Sequence, residues 1–286
     1  MLNQDSLSDY IAKNKRPLSE YCQLLQKQNG GGTLSRLELE AAFPRWQELV
    51  SVEGEQASSD YLLYYNIFVQ YPLCWLLRVG NYWEERSDPL SRDTLAGYLE
   101  EGGSCAVSFG RVTCYGAFDV DKNSQYHPDN AGWEHVRRLI GELEISGIST
   151  YVILRSSSSG GIHVFVNFGR RILSDAASLV LASCAHKCGI TIFPGQLEIF
   201  PSVRSSEASD HNQLRLPLSG RGSSLLFSSF SSTGYSSLDS FAQAWEEAGV
   251  KTTPSASSWI EEIDIIAYLY PETSALKSLV EKGVWK

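Results

Sequence analysis

Two aspartates one residue apart, in Phe118-Asp119-Val120-Asp121, sit at the end of an apolar run that reads as a β-strand. Side chains alternate along a strand, so Asp119 and Asp121 share a face. Carboxylates that close repel each other unless a cation lies between them. Ala117, Phe118 and Val120 around the pair predict a buried edge. Uncompensated charge is costly there, and a divalent metal would offset the cost. Two solvated acids at a strand end would give the same pattern.

Three further segments carry chemistry of the same kind. Ser156-Ser157-Ser158-Ser159-Gly160-Gly161-Ile162-His163 combines hydroxyl donors, a backbone free to approach a ligand and a histidine at the start of the next strand. Successive N–H groups in such a loop can form an anion nest. A plain Ser/Gly hairpin loop is the ordinary alternative. Glu198, between Leu197 and Ile199, is an acid in a buried strand pattern that wants a metal or an arginine, unless it faces solvent. Arg215, in Asn212-Gln213-Leu214-Arg215-Leu216-Pro217, is a phosphate clamp or a structural ion-pair partner.

Together these make three carboxylates, a phosphate loop ending in histidine, and an arginine. Nucleotidyl transfer needs that inventory. Two divalent cations stabilise the attacking 3′-oxygen and the leaving pyrophosphate of an in-line displacement. Mg²⁺ takes one or two carboxylates plus substrate phosphates, so few protein ligands suffice.

In this order the segments resemble the motifs of the archaeo-eukaryotic primase superfamily, the primase-polymerases. Those motifs are an aspartate pair on a strand, an SxGxH-type loop, a third acid on a strand and a downstream basic residue. The match runs from Gly110 to Gly222, and the forms Leu197-Glu198-Ile199-Phe200-Pro201 and Leu214-Arg215-Leu216-Pro217 are closest to primases of plasmids, phages and conflict systems. The resemblance implies that Asp119, Asp121 and Glu198 are the catalytic metal ligands. By the same resemblance Ser159, Gly161 and His163 hold the triphosphate, with Arg215 as a further phosphate contact. It implies Mg²⁺ or Mn²⁺ in a two-metal site, with no zinc. The implied fold is α+β: an RRM-like, mostly antiparallel core packed on an N-terminal α/β portion. The implied activity is template-dependent synthesis as a DNA primase or polymerase, in replication or repair of a mobile element. Its partners would be single-stranded or primed DNA, nucleoside triphosphates, and a helicase or other replication protein. The third acid is Glu where many members have Asp, and no zinc-binding insertion is evident.

Three other readings compete. A non-catalytic replication-initiation or nucleic-acid-binding module would tolerate loss of the aspartates, and both are present. An end-joining polymerase of the ligase-associated type would need a basic pocket for a 5′-phosphate, and the sequence reveals none. A metal-dependent phosphoesterase would hydrolyse without incorporation, and a Ser/Gly-His loop is not expected of it. Arg155 and Arg204 are further candidates for nucleic-acid or phosphate contact, explained equally well as surface ion-pair residues. Arg170-Arg171 could face a template backbone or simply make a solvated turn.

The elements that must position these groups fall in three parts. Residues 1–102 read as a helical region packing on the core, with helices over Leu18–Gln28, Leu34–Val50, Asp60–Val79 (kinked near Pro72) and Asp93–Glu101. Residues 103–230 read as the catalytic core. Cys105–Phe109 and Tyr115–Asp121 are strands at a spacing a hairpin could use. A helical stripe follows over Trp133–Ile145, then strands Tyr151–Leu154 and Ile162–Phe168, a helix over Ser174–Cys188, and strands at Gln196–Phe200, Leu214–Leu218 and Ser224–Ser228. Tyr115 and Trp133 read as core. Residues 231–286 return to helix over Leu238–Ala248, Ile260–Tyr270 and Ser274–Lys282.

Composition limits the remaining classes. The 286 residues are 43% apolar and 20% charged, which suits a globular protein with a sizeable core. A net charge of −9 argues against coating nucleic acid by bulk electrostatics. Between Tyr151 and Leu225, however, seven basic residues face four acids, leaving a local basic excess. The start Met1-Leu2-Asn3-Gln4-Asp5 is polar, which predicts no secretory signal. The apolar stretch Tyr61–Leu77 is shorter than the ~20 residues of a bilayer span. Six scattered cysteines predict reduced thiols in a cytoplasmic protein. Cys184-Ala185-His186-Lys187-Cys188 lacks a second ligand pair at finger spacing and reads as packing.

Overall fold

The alternation that puts Asp119 and Asp121 on one side of a strand puts Phe118 and Val120 on the other, and the layers of the fold follow from that split. The computed structural model describes residues 61–86, 88–110, 112–202 and 213–250. Its first elements are α1 (Leu62–Phe68), β1 (Tyr71–Val79), β2 (Tyr82–Arg86), α2 (Arg92–Glu100), β3 (Cys105–Ser108) and β4 (Val112–Val120). Next come α3 (Pro128–Ala131), α4 (Glu134–Ile145), β5 (Tyr151–Arg155), β6 (Ile162–Leu173) and α5 (Ser174–Lys187). The remainder are β7 (Leu197–Phe200), β8 (Gln213–Arg215), β9 (Ser224–Ser228) and α6 (Leu238–Val250). The α+β class and the antiparallel pairing expected from the sequence are observed. One sheet has the order β2-β1-β3-β8 and the other β7-β4-β6-β5-β9.

The second sheet carries the connectivity β4-α4-β5-β6-α5-β7, a split β-α-β arrangement with β4 and β6 at its centre. Its residues Phe118, Val120, Val164, Val166, Leu197 and Ile199 pack beneath α4 and α5. Helix α4 meets them with Val136, Leu139 and Leu143, one stripe of its surface. The opposite face, with Tyr115, Ala117, Val152, Leu154 and Phe165, shares a second core with α1, α6 and the first sheet. Phe68 ties that core together. Its ring stacks nearly parallel to that of Phe241 at 5.6 Å and lies 5.6 Å from Trp245 and 5.4 Å from Tyr115. In the first sheet Trp75, Leu77, Cys105, Val107 and Leu214 point into this core. The residues between them therefore face the other way, into a cleft.

Three expectations are corrected. The helix read over Asp60–Val79 ends at Phe68, and Tyr71–Val79 is a strand whose Trp75 and Leu77 alternate inward. Pro72 lacks an N–H, and it sits where the β1–β3 register shifts and before β2 begins to pair, at Trp75. Strands β3 and β4 are not a hairpin. β3 pairs with β1 and β8, whereas β4 pairs with β6 and β7, so the chain crosses between sheets after Ser108. Tyr115 is core, but Trp133 stands at the start of α4 with 37% of its surface exposed. The helices read over Leu18–Gln28, Leu34–Val50, Ile260–Tyr270 and Ser274–Lys282 lie outside the described residues. Among the described residues no helix is long and apolar enough to cross a membrane.

Trp245 is 1% exposed and joins α6 to this aromatic core. Its replacement by alanine is expected to cost about 3–5 kcal/mol in urea denaturation. A loss below about 1 kcal/mol would show that α6 is not part of the cooperative core.

Candidate active site

Strand β4 places its acids by register. Asp119 lies directly opposite His163 on β6 and directly opposite Glu198 on β7. Histidine, aspartate and glutamate thus form one row across three adjacent strands, on the face that turns away from α4 and α5. Side chains opposed in this way have Cβ atoms about 5 Å apart. The Asp119 Oδ2 is 3.3 Å from Nε2 of His163, whose side chain is almost wholly buried. Asp121 follows just beyond β4, where its N–H donates to the Gln196 carbonyl at 3.2 Å. Burial pushes the Asp121 carboxyl above the usual range, the Asp119 charge pushes it further, and His163 opposes them.

Above this row hangs the Ser156–Gly161 loop between β5 and β6. It is closed by Ser156 N–H to the Gly161 carbonyl at 2.7 Å and by Gly160 N–H to the Ser157 carbonyl at 3.0 Å. The Ser157 and Ser159 hydroxyls share a 2.6 Å hydrogen bond at the exposed tip. Gly160 has φ 95°, a conformation that disfavours any side chain. Its carbonyl meets Nε2 of buried His127 at 2.8 Å. His127 Nδ1 accepts from Asp129 N–H, so Nε2 carries the proton and donates. From the other side, Gly222 comes so close that a Cβ there would lie 2.5 Å from the Ser158 nitrogen. The loop is therefore clasped rather than free.

The first sheet supplies the opposite wall. Arg215 pairs with Ala106, and its guanidinium reaches the Trp83 ring at 5.1 Å while donating through Nη1 to the Ser156 carbonyl at 2.6 Å. Arg78 lies over the same ring at 5.4 Å. Burial lowers the pKa of Arg215, Arg78 lowers it further, and Asp119 acts against both.

Both walls line one cleft of about 1610 Å³. It contains every residue that the sequence motifs single out: Asp119, Asp121, Ser159, Gly161, His163, Glu198 and Arg215. Arg155 stands exposed at the end of β5 and does not line it. Arg170 and Arg171 lie near the end of β6 remote from His163, and Arg204 lies outside the described residues. Cys184 and Cys188 are buried while His186 is exposed on α5, and burial holds the Cys184 thiol up at about 12.

Sequence reasoning missed Arg78 and Trp83 on the first sheet, and Phe193, 60% exposed at the rim of the cleft. The Gly80-Asn81 pair between an apolar run and Tyr82-Trp83 is a hairpin signal that could have revealed the first two.

Among the described residues no three acidic, histidine or cysteine side chains converge as a ready-made metal cage. The row nonetheless fits a hard divalent ion of the Mg²⁺ type, which needs one or two carboxylates and takes its other ligands from water and phosphate. Asp119 and Asp121, with Glu198 opposed, offer those oxygens beside a loop suited to phosphate.

No family model matches the chain, and no curated protein matches it. Among solved structures it is similar to the polymerase domain from Mycobacterium tuberculosis Ligase D in complex with DNA. The TM-score is 0.34 and the identity 15%, over 60% of this chain and 63% of that one. The match thus spans less than two thirds of that domain's length.

Because the folded protein raises the Asp121 pKa, its contribution to stability is greatest below the ordinary carboxylate value of about 3.9 and is lost as pH rises through the raised value. In metal-free buffer at neutral pH, Asp121→Asn is therefore expected to be more stable than wild type. The gap should close towards about pH 4 and shrink when Mg²⁺ stabilises only the wild type. A wild type more stable than the variant at neutral pH without metal would contradict this electrostatic account.

Proposed function

We propose that the protein is a template-dependent nucleotidyltransferase of the primase-polymerase kind. The observation that carries this reading is the row His163–Asp119–Glu198 across three strands, facing a cleft that also holds Asp121, the Ser/Gly loop and Arg215. Its support in the sequence is the order of the four motifs, which resembles that of the archaeo-eukaryotic primases.

In this reading Asp119, Asp121 and Glu198 would hold Mg²⁺ or Mn²⁺. The ions would supply charge neutralisation at the attacking 3′-oxygen and the leaving pyrophosphate. The protein's own groups bind and orient. Ser159 and the loop amides receive phosphate oxygens, and His163 donates to one of them. Arg215, already fixed on the Ser156 carbonyl, presents its remaining donors to the polyphosphate. Holding the α-phosphate in line with a primer or template-bound nucleotide is the largest service such a site performs. A volume of about 1610 Å³ exceeds the ~300–1,000 Å³ of small-molecule pockets, which leaves room for a strand beside the nucleotide. We further propose single-stranded or primed DNA as template, and work beside a helicase in replication or repair of a mobile element.

The test is incubation with single-stranded template, Mg²⁺ or Mn²⁺ and labelled nucleotides, with and without primer. Wild type is expected to incorporate label, and the Asp119→Ala, Asp121→Ala double variant to fall by about 10³-fold or more. Full activity in that variant would remove the site, and hydrolysis without incorporation would favour a phosphoesterase. His163→Ala is expected to weaken nucleotide binding about tenfold while leaving template binding intact. Equal loss of both would make the histidine structural.

A further inference from the structure

Arg78 is not part of any motif, yet it sits where a charge is hard to explain by folding alone. Its guanidinium and that of Arg215 lie 5.4 and 5.1 Å from the centre of one indole, Trp83. Neither has a carboxylate within ion-pair distance among the described residues. Each guanidinium carries five donors. One of Arg78 goes to the Gly80 carbonyl at 3.1 Å and one of Arg215 to the Ser156 carbonyl at 2.6 Å. All three side chains line the cleft. Two like charges brought together at a partly desolvated surface repel, and Arg78 indeed lowers the pKa of Arg215. Packing on an indole offsets part of that cost by cation–π attraction, up to about 2 kcal/mol when desolvated. An anion would offset the rest.

We propose that Arg78 and Arg215, both held against the Trp83 ring, form one anion site that takes the terminal phosphates of the incoming nucleoside triphosphate. Trp83 is the positioning residue, because it orients both guanidinium groups and needs no contact with the ligand. The inference rests on the nucleotidyl-transfer reading and extends the nucleotide subsite to a strand that no motif marks. Two features favour a polyphosphate over the backbone of a bound strand. Arg215 is hydrogen-bonded to the first residue of the Ser/Gly loop, so its anion must touch that loop as well. A polyphosphate concentrates several negative charges on a few atoms and so repays two clustered cations, whereas a phosphodiester carries one charge per nucleotide.

The experiment measures binding by calorimetry in Mg²⁺ without template, so that chemistry cannot intervene. The probes are a nucleoside triphosphate, the matching monophosphate and a short single-stranded oligonucleotide. Arg78→Ala is expected to weaken the triphosphate about tenfold and to change the other two by less than about twofold. Trp83→Leu should lose triphosphate affinity in the same way, and Trp83→Phe should keep most of it, at an unchanged melting temperature. Triphosphate affinity untouched by Arg78→Ala would overturn the proposal. So would a loss confined to the oligonucleotide, which would make the cluster a strand site, or an equal loss for all three probes. Wild-type protein that binds no triphosphate would instead bring down the nucleotidyl-transfer reading itself, a result distinct from wild-type binding that Arg78→Ala leaves intact.

Discussion

The antiparallel register of β4, which sets Asp119 beside both Glu198 and His163, is the constraint on which the cleft depends. Antiparallel pairing leaves Asp119 no choice of neighbours: Glu198 is opposite on one side, His163 on the other, and Asp121 two residues along. A sheet built this way concentrates negative charge where its hydrocarbon ends and a cleft begins. Burial raises the Asp121 pKa there, and the neighbouring Asp119 charge raises it further. Perturbed ionisable groups gather at functional sites, and the cleft around this edge fits that pattern.

The remaining structure brings donors to that edge: His163 meets Asp119, whereas Arg215 has no carboxylate within ion-pair distance among the described residues. The Ser156–Gly161 loop is clasped by His127 from the β4–α3 connection, by Arg215 from the first sheet, and by Gly222 from the turn before β9. Arg215 is paired with an indole and a carbonyl rather than with a carboxylate. Its charge therefore remains available to a ligand. The two sheets share one core, in which Trp75, Leu77 and Val107 of the first join Tyr115, Val152 and Phe165 of the second around Phe68.

The aspartate pair was legible because strand alternation is a local property. Asp119 and Asp121 share a face in any strand containing both, and Ser/Gly followed by histidine marks a loop entering a strand wherever it occurs. Which strands would pair was not local. Nothing near Cys105–Ser108 says that it joins β1 and β8 instead of β4, since that depends on partners up to 110 residues away. The arginine wall was hidden for a related reason. An apolar run from Tyr61 to Leu77 reads as one helix when its period is blurred by aromatics on both faces, so the hairpin that carries Arg78 and Trp83 vanished into it. Only the position of Pro72 and the Gly80-Asn81 pair pointed the other way.

The central claim is that the three carboxylates ligate divalent ions together once phosphate is present. Anomalous diffraction from crystals grown with Mn²⁺ and a non-hydrolysable nucleoside triphosphate tests it most directly. The expected result is manganese bonded at about 2.2 Å to oxygens of Asp119, Asp121 and Glu198 and to the nucleotide phosphates. A triphosphate bound in the cleft with manganese elsewhere, or with Glu198 turned away from the ions, would contradict the account.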